Sequence, residues 1–235
     1  MLNLFKMYCY KMFRQKSLYV IWLIILLFEF ISVMMIEGGF AEHSADMGGF
    51  YIVLVSIFPT IFFSADINSG FIKNYAGSVP HRSMITAARA IMTVVQNILT
   101  LVFMLISVYA ITVIRGAEIG DISFIVKYYV CAFLAGLACS FMSIMFVELT
   151  RKTVSSMILT ICVGTGLISQ IARTFSAMFS DGSFDIGRFM VTSTFTSLNL
   201  DSATGDFYTA IIVAICYIVI STLISNFSIV KRDAV

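Results

Sequence analysis

Asp66 and Lys73 stand seven residues apart in a polar stretch, FSADINSGFIKNYAGSVPHRSMITAARA at Phe63–Ala90, that interrupts two long apolar segments. On a helix this spacing puts both charges on one face. Ile67, Phe71, Tyr75 and Val79 recur every four residues and form an apolar stripe on another. Asp66 falls near the expected helix start, where a negative charge suits the dipole. Gly77 and Pro80 supply a stop. The chemistry such a pattern supports is docking, with apolar anchors and charges that orient them. It predicts a short amphipathic helix over 66–80 beside a membrane surface; a solvated loop is the alternative.

Other candidate residues lie inside apolar runs. Glu29, Arg89 and Gln96 are polar groups in stretches of hydrocarbon character. Such groups are costly in lipid and mark a pathway or a partner helix. For Glu29 the alternative is that it snorkels outward or only faces a neighbouring helix. Cys9, Cys131, Cys139, Cys162 and Cys216 make no CxxC pair, and all but Cys9 sit in apolar runs. They read as small buried hydrophobes rather than disulfides or metal ligands. His43 and His81 fall in different loops, so no metal site is expected. No His/Asp/Glu or Ser/His cluster exists for an intramembrane enzyme. No GxxxxGK[ST] phosphate loop is present either. The chain is therefore expected to be no enzyme and to hold no cofactor of its own.

These residues must be positioned by membrane helices. The 235 residues are 60% hydrophobic and only 12% charged, against about a quarter charged in soluble domains. Mean hydropathy is +0.98. Apolar runs of about 20 residues span a bilayer as helices, and these are too long and uniform for barrel strands. The net charge of +2 gives no reason to expect nucleic acid. The reading is an all-α integral membrane protein of one domain, with spans at 17–36, 48–64, 85–114, 123–149, 154–175 and 207–229.

Residues 1–16 place Leu2, Phe5, Cys9, Met12 and Phe13 on one helical face and Asn3, Lys6, Tyr10, Lys11 and Arg14 on the other. That is the pattern of a basic interfacial helix. A cleavable signal peptide competes, but the next apolar run is long, lacks a small-residue cleavage site and precedes further spans. EGGFAEHSADMGG reads as an acidic, glycine-rich loop. Gly164, Thr165 and Gly166 permit close packing or bending within the fifth span, with packing favoured. The linker 176–206 is too polar to span. Its Phe184, Phe189, Met190, Phe195 and Leu198 make it too apolar for a plain loop, which fits a re-entrant or surface-lying element.

Six spans put both termini on one side. Eleven basic residues fall there: Lys6, Lys11, Arg14, Lys16, Lys73, Arg82, Arg89, Arg151, Lys152, Lys231 and Arg232. Arg115, Lys127, Arg173 and Arg188 fall on the other. The positive-inside rule makes the richer side cytoplasmic. The opposite orientation of the two halves hints at an inverted repeat.

Six spans, a basic amphipathic N-terminus and an inner linker between the second and third spans resemble an ABC-2 type transporter permease. The family commonly has an acidic residue, a glycine and then a proline followed by a basic residue after the second span. Here these are Asp66, Gly70, Lys73, Pro80 and Arg82, with FIKN at Phe71–Asn74. Asp66 stands where the family more often has Glu. The GFIKN wording is similar to the lantibiotic-immunity branch and to permeases of phenol-soluble-modulin exporters. The resemblance implies that 66–80 is a coupling helix docking on a separate ABC ATPase subunit through Asp66, Ile67, Gly70, Phe71, Lys73, Tyr75, Pro80 and Arg82. It further implies support of that contact by the N-terminal helix, and a linker that dips into the outer leaflet. A second permease copy, identical or a paralogue, completes the transporter. ATP and Mg belong to the partner ATPase. Location in a bacterial cytoplasmic membrane and export of an amphipathic or hydrophobic peptide follow from the same likeness. The 22 Phe and 14 Met suit such cargo, although lipid-facing surface accounts for most of them.

Two other readings remain open: a secondary transporter using Glu29, Lys127 or Arg89 as an ion relay, and a non-transporting membrane sensor or scaffold subunit. The orientation itself can be tested. In intact cells an impermeant thiol reagent should label single cysteines placed at 46 and 185 and spare those at 73 and 152. Labelling at 73 but not 185 reverses the topology.

Overall fold

A computed structural model describes residues 2–35, 39–70, 83–179, 186–199 and 202–232. Every regular element among them is helical: α1 (Leu2–Arg14), α2 (Lys16–Met35), α3 (Phe40–Asn68), α4 (Ser83–Arg115), α5 (Ile122–Thr150), α6 (Thr153–Gly164) and α7 (Leu167–Phe179). A 3₁₀ turn (Ile186–Phe189), α8 (Val191–Thr196) and α9 (Thr204–Arg232) follow. Helices α2, α3, α4, α5 and α9 are each long and apolar enough to cross a membrane; α6 and α7 add a sixth crossing if taken as one bent span. The chain is thus an all-helical, multi-pass membrane-type protein.

Helices α3 and α5 form the centre. Each buries 67% of its apolar window, against 33% or less for α2, α4 and α9. The outer helices turn side chains such as Leu23, Leu27, Ile106 and Leu223 outward. Buried serines, threonines and an asparagine face inward, the arrangement lipid demands. Pro59 lies inside α3 and cannot donate to the Val55 carbonyl. Ser140 of α5 donates to that carbonyl at 3.4 Å instead. Ser140 in turn accepts from the Asn97 amide at 3.0 Å, and the Tyr51 hydroxyl reaches Asn97 at 3.4 Å. This belt joins α3, α4 and α5 across the core. Gly136 makes room for it, since a Cβ there would lie 2.9 Å from Asn97 Oδ1 and from Tyr51.

Several expectations are corrected. The stretch EGGFAEHSADMGG is not a 13-residue loop: α3 begins at Phe40, eight residues before the expected second span. Glu42 accepts from the Gly39 N–H, and the Phe40 N–H bonds the Glu118 carbonyl at 2.9 Å. Phe40, His43, Ser44 and Gly48 turn inward while Glu42 and Asp46 stay exposed, so the segment is an amphipathic extension of the span. His43 is accordingly a buried helical residue. The fifth span is not straight: α6 and α7 meet at 60°, where Gly166 adopts φ +75°. Gly164, two residues earlier, packs on Val53, so both roles of the glycine pair are realised. In the linker 176–206, α7 continues to Phe179 and α8 buries Val191, Thr192 and Phe195. The N-terminal helix buries Leu4 and Tyr8 in the protein together with Met12 of the expected stripe; Phe5 and Cys9 of that stripe are half-buried against the core, and Phe13 is exposed.

Gly48 shows how closely these helices approach. A Cβ there would meet Tyr128 Oη at 1.8 Å and the Phe195 ring at 2.7 Å, while Tyr128 donates to the Ala45 carbonyl at 2.9 Å. At Gly49 the nearest atom is the Thr196 methyl at 3.6 Å. Gly48→Ala should therefore destabilise the bundle by about 1–3 kcal/mol through overpacking. Gly49→Ala should be neutral or slightly stabilising, as alanine favours helix. Thermal unfolding of both variants in the same detergent checks the contrast; equal stabilities would contradict the packing.

Candidate functional site: a buried charge network where residues 71–82 leave and rejoin the bundle

The last turn of α3 and the first turns of α4 are the two roots of residues 71–82. Each root carries a buried charge. Asp66 on α3 is wholly buried and ion-paired with Lys11 of α1, whose side chain is 37% exposed. Arg89 on α4 is 1% exposed and ion-paired with Glu148 at the end of α5, 5% exposed. Two cations thus meet two anions in these pairs.

Aromatic rings close the network against solvent. The Lys11 ammonium lies 4.9 Å from the Phe62 ring centroid and the Arg89 guanidinium 5.2 Å from that of Phe63. Tyr8 of α1 packs its ring 6.0 Å from Phe62 and 6.1 Å from Phe63. Burial pushes its phenol up from the ordinary value; Arg89 pulls it down and Asp66 pushes it up again. Tyr8 therefore stays neutral and senses both ion pairs. Cys9 contacts Met92 of α4 through sulfur at 3.9 Å, and Asn68 donates to Thr153 of α6 at 2.9 Å. Five helices, α1, α3, α4, α5 and α6, are joined at this end.

The polar residues singled out in the sequence fare differently. Asp66 does not start a helix: it sits in the last turn of α3, which ends at Asn68. Gly70 follows with φ +67°, a left-handed conformation that breaks the helix before residue 71. The helix expected over 66–80 therefore does not start at Asp66, since α3 ends at Asn68 and residues 69–70 turn; residues 71–80 of that expectation lie outside the described residues. A fully buried Asp66 is an internal ion-pair partner rather than a rim charge. Phe71, Lys73, Tyr75, Pro80 and Arg82 lie outside the described residues. Arg89 belongs to the network, whereas Gln96 is buried about two turns further along α4 and donates to Thr100 at 3.4 Å. Glu29 is buried on α2 near the opposite end, apart from the network.

Tyr8, Lys11 and Glu148 were not singled out as site residues. Glu148 and Arg89 were both visible as charges flanking apolar runs, but nothing in their spacing pairs them. Among the described residues no group of three His, Cys, Asp or Glu side chains could hold a metal. The arrangement offers no nucleophile with an adjacent base. What it can do is mechanical: it ties the N-terminal helix and both roots of 71–82 to the core. No family model matches the sequence, and no curated protein matches it.

Removing one member of a buried pair strands the other. Arg89→Gln should cost about 3–5 kcal/mol, because the buried Glu148 loses its guanidinium partner. Replacing both with apolar residues, Arg89→Met with Glu148→Leu, should recover most of that loss. Unfolding in mixed detergent micelles measures both. A single variant as stable as wild type would show that the pair does not hold the bundle.

Proposed function

We propose that this chain is the membrane-spanning permease subunit of an ABC exporter of the ABC-2 type, moving an amphipathic peptide across the bacterial cytoplasmic membrane. A separate ATPase subunit binds ATP and Mg, and a second permease copy completes the pathway. The observation that carries the reading is the charge network: the segment whose wording resembles the family's coupling element is rooted on two helices that buried ion pairs lock to α1 and α5. A push delivered to 71–82 then moves α1, α3, α4 and α5 together instead of bending one loop.

The mechanism follows from that rigidity. The partner ATPases close on ATP and displace the 71–82 segment. Buried pairs resist separation, since parting them would leave charges unpaired out of water. The displacement is therefore passed to the spans, whose movement alternates access between the two sides. Cargo passes between permease copies along their Phe- and Met-rich walls. A secondary transporter is the competing reading, favoured by the unpaired carboxylate of Glu29; dependence on ATP and on the partner ATPase separates the two.

Phe71 and Tyr75 are the apolar anchors of the docking surface in this reading. Anchors seated in a pocket cost about 2 kcal/mol or more on truncation. Phe71→Ala should thus weaken copurification of the ATPase and uncouple hydrolysis from transport while leaving the permease folded. Asp66→Ala should act differently, by loosening α1 and lowering stability. Pull-down of the ATPase and cargo-stimulated hydrolysis in nanodiscs read both. Normal binding and coupling in Phe71→Ala and Tyr75→Ala would end the coupling assignment.

A further inference from the structure

Glu29 is fully buried on α2, and neither carboxylate oxygen has a hydrogen-bond partner. No Lys or Arg among the described residues is paired with it. Arg115, the cation in the last turn of α4, is turned to the Val33 carbonyl. From α4 Ser107 faces Glu29 and from α5 Tyr129, both neutral hydroxyls. Ser107 donates to the carbonyls of Phe103 and Met104, and Tyr129 is engaged with Ser44 at 3.2 Å. From α3, His43 is buried on the helix that packs against α2, with both ring nitrogens unpartnered.

The carboxylate borders a small chamber lined by Ile25, Glu29, Met47, Phe50, Tyr51 and Met104. The space takes one group the size of a water molecule, and the chamber is not sealed. Its chemistry is selective. One carboxylate supplies the only formal charge. Two aromatic rings and two thioethers supply polarizable walls. Hard metal ions require several oxygen ligands, which this lining lacks. An ammonium head needs one anion and benefits from aromatic faces. An ammonium head is about the size of the one group the chamber takes.

We propose that the Glu29 chamber is a binding site for a primary ammonium group, held by the carboxylate and the Phe50 and Tyr51 rings. The ammonium comes from a lysine side chain or N-terminal amine of an amphipathic peptide, or from a small alkylamine. The same chemistry serves each, and the site neutralises the charge at membrane depth. This does not depend on the energy source that drives the chain. A failed ATPase interaction would leave it standing.

Trp22, the chain's single tryptophan, lies two helical turns before Glu29 on α2 and stacks on Phe103, the neighbour of Met104. Its emission reports on the chamber. Full-length protein in nanodiscs is titrated with n-butylammonium and with 1-butanol. In parallel it is titrated with a short amphipathic peptide carrying one lysine and an acetylated N-terminus, and with its acetyl-lysine analogue. The ammonium probes should give saturable shifts, and the neutral analogues at least tenfold weaker ones. Response to the peptide alone assigns the site to cargo, and response to butylammonium alone assigns it to small amines. Glu29→Gln should lose at least tenfold in affinity while helicity and thermal stability persist; Glu29→Asp should lose less. Should Glu29→Gln fail to fold, Met47→Phe keeps the carboxylate, fills the chamber and should abolish the response. Equal binding of charged and neutral probes, or unchanged binding in Glu29→Gln or Met47→Phe, overturns the proposal.

Discussion

Arg89 and Glu148 sit almost wholly out of water, and neither could be there alone. A charge in an apolar interior costs several kcal/mol unless its partner is buried with it, so the two helix ends that carry them must meet in one register. The same constraint acts on Asp66, whose cation partner among the described residues is Lys11 on the N-terminal helix. Docking of α1 is thereby made a condition of folding α3. The Tyr8, Phe62 and Phe63 rings complete the seal by covering both cations.

Elsewhere the bundle obeys the inverse rule of an apolar solvent. Hydrocarbon side chains gain little by hiding from lipid, so close approach and hydrogen bonding select the helix contacts. Gly48, Gly136 and Gly164 let partners come within contact of backbone. Ser140 repairs the carbonyl that Pro59 leaves open, and Thr60 meets Thr160 at 3.0 Å across α3 and α6. Other buried polar groups, Glu29 and His43 among them, have no hydrogen-bond partner, and Glu29 is the one that borders the small chamber.

The charge network gives the ABC-type reading its physical content. A coupling segment transmits force only if its two ends are anchored to something stiff. In the proposed reading the anchors are ion pairs that are expensive to separate, each tying a neighbouring helix to one of the two most buried spans. The bend at Gly166 works in the opposite sense. It redirects α7 toward the short buried α8, where Arg173 donates to Ser193, so that broken and brief elements pack beside the through-running helices at that end.

The spans were legible because hydropathy sums over about 20 residues, and that sum is insensitive to what each side chain touches. The glycine pair 164 and 166 and the special place of Glu29 were legible for a similar reason: residue type alone limits what they can do. Local pattern misled at 40–49, where Glu42 and Asp46 made a helix read as loop; their polarity belongs to one face, and a composition average cannot see faces. It misled at Asp66 because Gly70 acts through its left-handed backbone, a stop that competes with a continuous four-residue stripe. Asn97, not its neighbour Gln96, joins the central belt: both are buried, but successive helical residues point about 100° apart and only the packed partners decide which one reaches Ser140. Lys11 and Asp66 are 55 residues apart, and Arg89 and Glu148 lie on different spans. No periodicity relates such pairs. Residue chemistry determined that these charges needed partners; the crossing of helices in three dimensions decided which ones they found.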